Sequence, residues 1–423
     1  MMNSKLVPKR RFKEFESDGE WERDLFRNIA DFSIKTNSFS REKLTHESYE
    51  VQNIHYGDIL IKFQSVLDLK RDNLPSIIDS NVLDFRQSLL QDGDVIFADA
   101  AEDSTVGKAI EIRNIMGKNV VSGLHTIAAR PIQLFAPYYL GYYLNSDFYH
   151  KQILPLMQGT KVSSISKSNL QVTEISFPII DEQKKIGKFF QKIAYLIALH
   201  QHKLDKLKNL KKAYLSEMFP AEGERVPKHR FPGFEGEWEK TRLSKVAEIE
   251  GGGTPSTAVP EYWDGTVDWY TPAEIGDEVF VNQSIRKITD LGLQKSSAKM
   301  LPVGTVLFTS RAGIGKTAIL AREGCTNQGF QSIIPKEGLL DSYFIYSLSN
   351  QLKSYGERIG AGSTFVEVSG KQMSEMSLII PSIFEQKQIG NFFKKLDQSI
   401  SLQQQKLDKL NNLKKAYLNE LFV

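Results

Sequence analysis

The sequence has few of the features that mark secreted, membrane-spanning or strongly basic proteins. Its 423 residues include one cysteine, which excludes an internal disulfide framework and a multi-cysteine zinc site and points to the cytoplasm. No apolar run approaches the ~20 residues of a membrane-spanning helix, and the basic N-terminus lacks the apolar core of a secretory signal. The net charge of +3 is too small to indicate a class of binding partner. The length and the 41% hydrophobic content predict a globular protein of two to three domains.

The chain is internally duplicated. Residues 182–219 align without gaps on residues 385–422, with 25 identities in 38 pairs. Weaker echoes join residues 7–21 with 226–238 and residues 139–159 with 343–362. We therefore predict two half-molecules, each a globular part followed by a helix. Prolines beside the helices set the predicted boundaries, which are residues 1–180 for the first globular domain, 181–220 for the first helix, 221–380 for the second globular domain and 381–423 for the second helix.

Both repeated segments predict long helices with a coiled-coil seam, because apolar residues recur with a period of 3.5. Each helix spans about 37 residues, or ~55 Å. His200 lies on the seam, where a polar residue that sets the register is a better interpretation than a catalytic base. The predicted seam is Ile186, Phe190, Ile193, Ile197, His200, Leu204 and Leu207 in the first helix, and Ile389, Phe393, Leu396, Ile400, Gln403, Leu407 and Leu410 in the second.

The globular parts predict an α+β fold class with irregular sheets. Short β-rich runs are separated by glycine and aspartate turns, and one amphipathic helix is expected late in each half, near residues 138–153 and 342–359. The predicted strands include residues 58–63, 94–98, 305–309 and 332–335.

Several enzyme motifs are missing or weak. Residues 310–317 (SRAGIGKT) resemble a phosphate-binding P-loop but have Ser310 where that motif needs glycine, so a glycine-rich turn with a basic tip is favoured. The Gly-x-Gly in residues 358–364 follows a predicted helix, which is a weak cofactor signal. The sequence has neither the Pro-Pro of amino-methyltransferase loops nor the Pro-Asp of restriction-type nucleases. The histidines show no metal-ligand spacing, and Cys325 is interpreted as a buried structural thiol.

Four segments of the second half together resemble a known family. Residues 251–256 (GGGTPS), 262–272 (YWDGTVDWYTP), 304–317 (GTVLFTSRAGIGKT) and 326–331 (TNQGFQ) resemble the target recognition domain of type I restriction-modification specificity subunits. The repeated helices, which open with Glu-Gln and close with Leu-Lys-Lys-Ala-Tyr, resemble the two spacer regions of that family. The resemblance covers essentially the whole chain. The first domain departs from it, lacking the Gly-Gly-Thr-Pro-Ser and Tyr-Trp-Asp-Gly segments.

The resemblance implies a non-catalytic subunit that reads double-stranded DNA. It implies that the two helices pair antiparallel, that each recognition domain reads half of a split target, and that the helices set the gap and dock modification subunits, two in number, with restriction subunits joining through the complex. S-adenosylmethionine, ATP and Mg then belong to the partner subunits. Because the two globular sequences differ strongly, we predict an asymmetric, interrupted target. We expect no metal and no catalytic residue in this chain.

Polar and basic residues on loops are the candidates for DNA contact, since such side chains reach base edges and phosphates. Each of them is explained about as well as a polar residue that simply faces solvent. The charge is concentrated on the helices, where residues 182–219 hold nine lysines against three acids, which also suits a solvated coiled-coil face. The candidates are Lys108, Thr160 and Lys161 in the first half and Thr254, Ser256, Arg311, Lys316, Ser363 and Thr364 in the second.

One alternative keeps the repeat and the seam. A coiled-coil assembly protein, whose two globular domains bind protein or glycan, has the same architecture. It gives no reason for the resemblance in the recognition segments, and a salt-dependent DNA shift distinguishes the two.

Overall fold

The computed structural model describes residues 6–311, 313–360 and 367–423. The chain divides into two compact units: unit 1 comprises residues 1–200 and 406–423, and unit 2 comprises residues 201–405. Each long helix therefore has residues in both units. In the described part of the chain, no helix is long and apolar enough to cross a membrane.

Unit 1 is built mainly from short strands. Its helices are α1 (Phe26–Ile29), α2 (Tyr56–Ile61), α3 (Tyr139–Tyr143), α4 (Asp147–Ile153) and α5 (Lys167–Gln171), and the long α6 (Ile180–Glu217) begins in it. Its strands are β1 (Glu22–Leu25), β2 (Ala30–Asp31), β3 (Leu44–Thr45), β4 (Gln52–Ile54), β5 (Val66–Asp68), β6 (Ser76–Ile77), β7 (Val95–Ala98), β8 (Ala100–Ala101), β9 (Ala109–Arg113), β10 (Val120–Ser122), β11 (Thr126–Pro131), β12 (Ser163–Ser164) and β13 (Glu174–Phe177).

Unit 2 repeats this plan. Its helices are α7 (Leu243–Val246), α8 (Asp290–Gln294), α9 (Ser342–Ser347), α10 (Ser349–Gly360) and α11 (Gly370–Ser374), and the long α12 (Ile383–Glu420) begins in it. Its strands are β14 (Glu239–Arg242), β15 (Ala247–Gly251), β16 (Trp263–Tyr270), β17 (Phe280–Val281), β18 (Lys287–Ile288), β19 (Val306–Phe308), β20 (Thr317–Leu320), β21 (Cys325–Thr326), β22 (Gln331–Pro335) and β23 (Ser377–Ile380).

The central sheets of the two units have the same topology. The strand order is β2-β11-β7-β9-β5 in unit 1 and β15-β22-β19-β20-β17 in unit 2. In both, the last pair is parallel and the other pairs are antiparallel. Every side chain of β7 and β19 is buried, as expected for apolar runs in the middle of a covered sheet. The two halves thus share one α+β fold, although the first lacks the glycine-rich segment of the second.

The two long helices pair through their opposite ends. In unit 1 the start of α6 packs on the end of α12, with the rings of Phe189 and Tyr417 4.8 Å apart and Phe422 stacked on Phe190. Unit 2 repeats these contacts with the equivalent residues of the other helix, Phe392 on Tyr214 and Phe393 on Phe219. A start packed on an end in both units is the pairing of antiparallel helices, as the resemblance implied.

The predicted seam residues lie on the covered side of each helix. Ile186, Phe190, Ile193, Ile197 and Leu204 are buried in α6, and Ile389, Phe393, Leu396 and Leu407 are buried in α12. The remaining five seam residues are half-buried: His200, Leu207, Ile400, Gln403 and Leu410.

The helix-opening glutamines hold each helix against its own domain. Gln183 donates to the carbonyl of Pro178 at 2.8 Å, and its Oε1 accepts the amide of Ala136 at 3.0 Å. Gln386 does the same in unit 2, donating to Pro381 at 2.9 Å and accepting from Asp341 at 3.0 Å. This reciprocal use of one side-chain amide gives the repeated Glu-Gln pair a structural role.

Two elements differ from the sequence prediction. Residues 58–61 of the predicted strand 58–63 are helical rather than extended: Ile59 is buried while Ile61 is 90% exposed, a spacing that strand alternation does not produce. His55 caps this helix by accepting the amide of Gly57 at 3.2 Å. The single amphipathic helix expected in each half is a pair of helices. In unit 1 the Ser146 hydroxyl caps the start of α4, and in unit 2 the chain breaks at Leu348 between α9 and α10.

Candidate nucleic-acid interface

In unit 2 the glycine-rich segment 251–256 lies directly on segment 326–331. The amide of Gly253 donates to the carbonyl of Thr326 at 2.8 Å. A Cβ atom on Gly252 would lie 1.9 Å from the carbonyl oxygen of Asn327, and one on Gly253 would lie 2.3 Å from the amide nitrogen of Ala298. Glycine is therefore required here for close backbone approach, and two separate parts of the sequence form one surface.

Two tryptophans of β16 support this surface from below. Trp269 donates its indole N–H to the carbonyl of Gly253 at 2.8 Å, and Trp263 donates to the carbonyl of Ser256 at 3.1 Å. Their rings meet edge to face at 5.1 Å, and the Arg286 guanidinium lies 3.9 Å from the ring centre of Trp263. The Tyr-Trp-Asp-Gly and Gly-Gly-Thr-Pro-Ser segments are thus parts of a single support for the loop.

Several polar side chains of this surface are open to solvent or fixed by hydrogen bonds. Ser256 is exposed and Thr254 is half-buried. The Thr254 hydroxyl donates to Oε1 of Gln328, which fixes the exposed amide with its NH₂ group as a remaining donor. Glutamine amides pair with adenine edges in the major groove. The sequence analysis missed Gln328, although it stands inside the quoted TNQGFQ segment.

The basic turn after β19 adjoins the same surface. The amide of Ser310 donates to the carbonyl of Gly329 at 2.8 Å, which brings half-buried Arg311 beside the 326–331 segment. Lys316 turns elsewhere, with Nζ donating to the carbonyl of Ile275 at 3.0 Å. Gly313 and Gly315 both have positive φ values. The turn leads into strand β20, whereas a P-loop opens a helix, so the P-loop interpretation fails.

Two of the predicted contact residues, Ser363 and Thr364, lie outside the described residues, as does most of the Gly-x-Gly segment 358–364. The next described segment returns to the same surface, because the amide of Val368 donates to the carbonyl of Ser310 at 3.0 Å.

In unit 1, Thr160 and Lys161 are exposed at the tip of a hairpin. Gln158 and Ser164 exchange backbone hydrogen bonds of 3.0 and 2.8 Å, and β12, which follows the tip, pairs with β8. Gly159 has φ +105°, and a Cβ atom there would lie 2.0 Å from the carbonyl oxygen of Val162. The tight turn presents both side chains outward, as a DNA contact requires.

Lys108 is oriented inward. Its Nζ donates to the carbonyls of Leu60 and Phe63 at 2.9 and 2.8 Å, where it satisfies carbonyls at the end of α2. Burial lowers the pKa of the Lys108 ammonium. Contact with a DNA phosphate on the outer surface would therefore use only the third N–H of this group.

The surface of unit 1 carries aromatic and acidic groups that the sequence analysis missed. His125, half exposed, lies with Nδ1 3.2 Å from Oδ1 of Asp99 and packs edge to face on Tyr56 at 5.3 Å. Burial raises the pKa of Asp99, against the opposing effect of His125. These residues come from three distant segments with no shared motif, so no local signal could have grouped them.

The remaining chemical candidates are structural. Cys325 is buried and its thiol donates to the carbonyl of Asp268 at 3.3 Å, and burial raises the pKa of this thiol to about 12. Among the described residues no group of three or more His, Cys, Asp and Glu side chains could hold a metal ion.

Comparison with known proteins gives one family. The family model described as "Type I restriction modification DNA specificity domain" matches residues 29–209 and 235–412, which takes in both globular parts and most of both long helices.

Individual relatives carry the same description. The type I restriction enzyme MjaIX specificity subunit of Methanocaldococcus jannaschii is 36% identical over 167 residues, covering 39% of each chain. A putative type I restriction enzyme MjaX specificity subunit of the same organism is 23% identical over 381 residues, covering 86% of each chain. The chain thus spans well under half of the first of these relatives and most of the second.

A solved structure has the same fold over its whole length. The S subunit of a type I restriction-modification system from M. genitalium superposes with a TM-score of 0.65 and 16% sequence identity, covering 99% of both chains. At this identity the likeness concerns the fold.

Proposed function

The chain belongs to the family of type I restriction-modification DNA specificity proteins, and from this we propose that it selects the DNA sequence on which a multi-subunit restriction-modification enzyme acts. The observation that carries the proposal is the duplication of one α+β unit with different loop residues in each copy. A reader of DNA needs a constant support and variable contacts. Here the sheets are constant, while the loops differ.

We assign one half of a split target to each unit. Unit 2 offers Thr254, Ser256, Gln328 and Arg311 on one surface, and unit 1 offers the exposed hairpin of Thr160 and Lys161. Unlike side chains prefer unlike base edges. The target is therefore expected to be asymmetric as well as interrupted, with the two long helices setting the length of the gap.

Catalysis is assigned to partners. Modification subunits, two in number, would dock on the long helices and supply methyl transfer with S-adenosylmethionine. Restriction subunits would join through the complex and supply ATP- and Mg-dependent translocation and cleavage. A DNA target also suits an assembly in the cytoplasm. The lysine-rich exposed sides of α6 and α12, with nine lysines against three acids in residues 182–219, favour a partner that carries negative charge.

The alternative function, a coiled-coil assembly protein with protein- or glycan-binding domains, has no support from the relatives. That alternative requires the two globular parts to bind protein or glycan. Both parts are instead covered by the match to the DNA specificity family.

The test is methylation mapping in a host that expresses the chain with its modification subunits. The expected motif is interrupted and asymmetric, and a continuous or palindromic motif would contradict the proposal. Arg311→Ala should relax one half of the motif and leave the other unchanged. Arg242→Ala is the matched control, since Arg242 lies on β14 in an exposed ion pair with Glu375 and should leave both halves unchanged.

A further inference from the structure

Two lysines at the same position of the repeat have different partners. In unit 2, Nζ of Lys211 lies 2.6 Å from Oδ1 of Asp397, and the second oxygen of Asp397 accepts the Tyr343 hydroxyl at 2.8 Å. The gapless alignment of the helices makes Lys414 the equivalent of Lys211, and Ala194 the equivalent of Asp397. The counterion of this lysine is therefore present in unit 2 and replaced by a methyl group in unit 1.

Lys414 has neutral neighbours in place of the carboxylate. Its Nζ donates to Oε1 of Gln64 at 2.9 Å and lies 5.8 Å from the ring centre of Tyr142. Burial lowers the pKa of Lys414, and the nearby Lys108 charge lowers it further. Two ammonium groups thus repel each other in a partly buried place, an arrangement that a bound anion would relieve.

A cavity of about 510 Å³ lies at this place, within the range of roughly 300–1,000 Å³ that is typical of small-ligand sites. Three lysines, Lys62, Lys108 and Lys414, line it together with His150, and no aspartate or glutamate is among the described lining residues. Its neutral polar lining comes from Gln64, Ser65, Ser104, Thr105 and Asn145. Asp103 accepts the Thr105 hydroxyl at 2.5 Å from outside the lining.

The corresponding pocket of unit 2 has a balanced charge. It is also lined by three lysines, Lys208, Lys211 and Lys212, but three acids, Asp277, Glu278 and Asp397, line it with them. Both pockets lie beside a long helix, the strand at the parallel edge of the central sheet and the helix pair that follows the sheet. At the same site in the fold, acidic side chains of the protein therefore balance the lysine charges in unit 2, whereas the lysine charges of unit 1 have no acidic side chain among the described lining residues.

We propose that the unit 1 pocket binds a phosphate group, with Lys414 and Lys108 as the charged donors and the hydroxyl of Ser104 as a neutral one. Phosphate oxygens accept several hydrogen bonds at once, and charge-assisted bonds to them are about twice as strong as neutral ones. The phosphate comes either from the DNA backbone, which rests on the proposed function, or from a free phosphate compound, which does not.

Four variants of the full chain test the site. Lys414→Gln removes one charged donor. Ala194→Asp supplies the carboxylate that unit 2 already has, without touching a lysine, and Ala194→Asn is its neutral match of similar size. Lys415→Gln, the next residue of α12 and exposed, is the control for loss of one lysine charge. Phosphate binding should fall in Lys414→Gln and Ala194→Asp and should stay unchanged in Ala194→Asn and Lys415→Gln.

Two readouts distinguish the sources of phosphate. The first is protection of Lys414 and Lys108 from acylation by added inorganic phosphate, measured by mass spectrometry, with Ala194→Asp and Ala194→Asn as the informative pair. The second is the salt dependence of duplex DNA binding, whose logarithmic slope should fall by about 0.9 for one lost phosphate contact. Protection in the first readout alone assigns a free phosphate, and a changed slope in Lys414→Gln and Ala194→Asp assigns the DNA backbone; either result supports the site.

The proposal is overturned if phosphate gives no protection and the DNA slope is the same in all four variants. It is also overturned if Ala194→Asn loses binding as fully as Ala194→Asp, since that loss would be steric. A wild-type chain that binds no DNA at any salt concentration would contradict the proposed function, while the acylation readout would still decide the pocket.

Discussion

Arg11 and Glu182 form a two-pronged ion pair across 171 residues of sequence, with Nε–Oε1 and Nη2–Oε2 distances of 2.8 and 2.6 Å. Their side chains are 6% and 0% exposed. Arg230 and Glu385 repeat the pair in unit 2 at 2.7 and 2.8 Å. The weaker repeat of the short arginine-containing segments and the glutamates that open the strong helix repeat therefore recur together in both halves, because they bond to each other.

Arg11→Ala should destabilise unit 1 by about 3–5 kcal/mol, because it leaves the buried Glu182 carboxylate without its partner. Hydrogen exchange resolved by peptide is the suitable measurement, since a chain of two units does not promise a single unfolding transition. Lys185→Ala breaks an exposed ion pair with Glu14 and a cation–π contact with Phe12 at 5.7 Å, and it should cost at most about 1 kcal/mol. Equal effects of the two variants would contradict the role of the buried pair.

Phe422→Ala should loosen unit 1 although the residue follows the helix that begins in unit 2. Its ring contacts Trp21, Tyr139, Tyr143 and Phe190 with centroid distances between 5.6 and 6.5 Å. Truncating so buried an aromatic ring costs about 3–5 kcal/mol. Faster exchange is expected in peptides of unit 1, not of unit 2.

The control for this variant is Phe384→Ala, also on α12 but 76% exposed, which should change stability by less than about 0.5 kcal/mol. Phe219→Ala should mirror the result in unit 2, where Phe219 packs on Trp238 and Phe344.

Gly253→Ala should damage DNA selection through unit 2 while its sheet stays folded. The new methyl group would overlap backbone atoms of residues 297–298, and such overpacking costs about 1–3 kcal/mol and moves the loop. Gly251→Ala is the matched control, because its nearest neighbour would be Oε1 of Gln331 at 3.9 Å. Methylation mapping should show one relaxed half-site for Gly253→Ala and a wild-type motif for Gly251→Ala.

Cys325 should resist alkylation in the native protein. Burial raises the pKa of its thiol from 9.0 to about 12, so at pH 8 the thiolate fraction falls from about one-tenth to ~10⁻⁴. Because the chain has a single cysteine, labelling rate reports on unit 2 without a background. Labelling should be slow without denaturant and fast once unit 2 opens, and rapid labelling of folded protein would contradict the burial.

The long helices could be predicted because their signal is strong and local. Apolar residues recur with a period of 3.5 residues along about five heptads, and the whole pattern occurs twice in the chain. The strands of the central sheets, such as β7 and β19, were also visible as short buried runs. Helix α2 was not, because so short a run of mostly apolar residues fits either state, and only its cap at His55 and the burial of Ile59 distinguish a helix from a strand. The helix pair α3 and α4 was missed for a similar reason, since the break at Ser146 depends on one cap.

The duplication, the helices, the α+β class and the family resemblance could all be read from the order of the amino acids, because each rests on residues close together in the chain or on comparison of the chain with itself. Which side chains share a surface became visible in the folded chain. It turned Lys108 and Lys316 toward backbone carbonyls, joined the glycine-rich loop to Gln328, and gave Lys211 a carboxylate that Lys414 lacks. The partners of a charged side chain are set by residues far away in the sequence. The two lysines of the repeat therefore look identical in the sequence, although only one of them has a counterion in the fold.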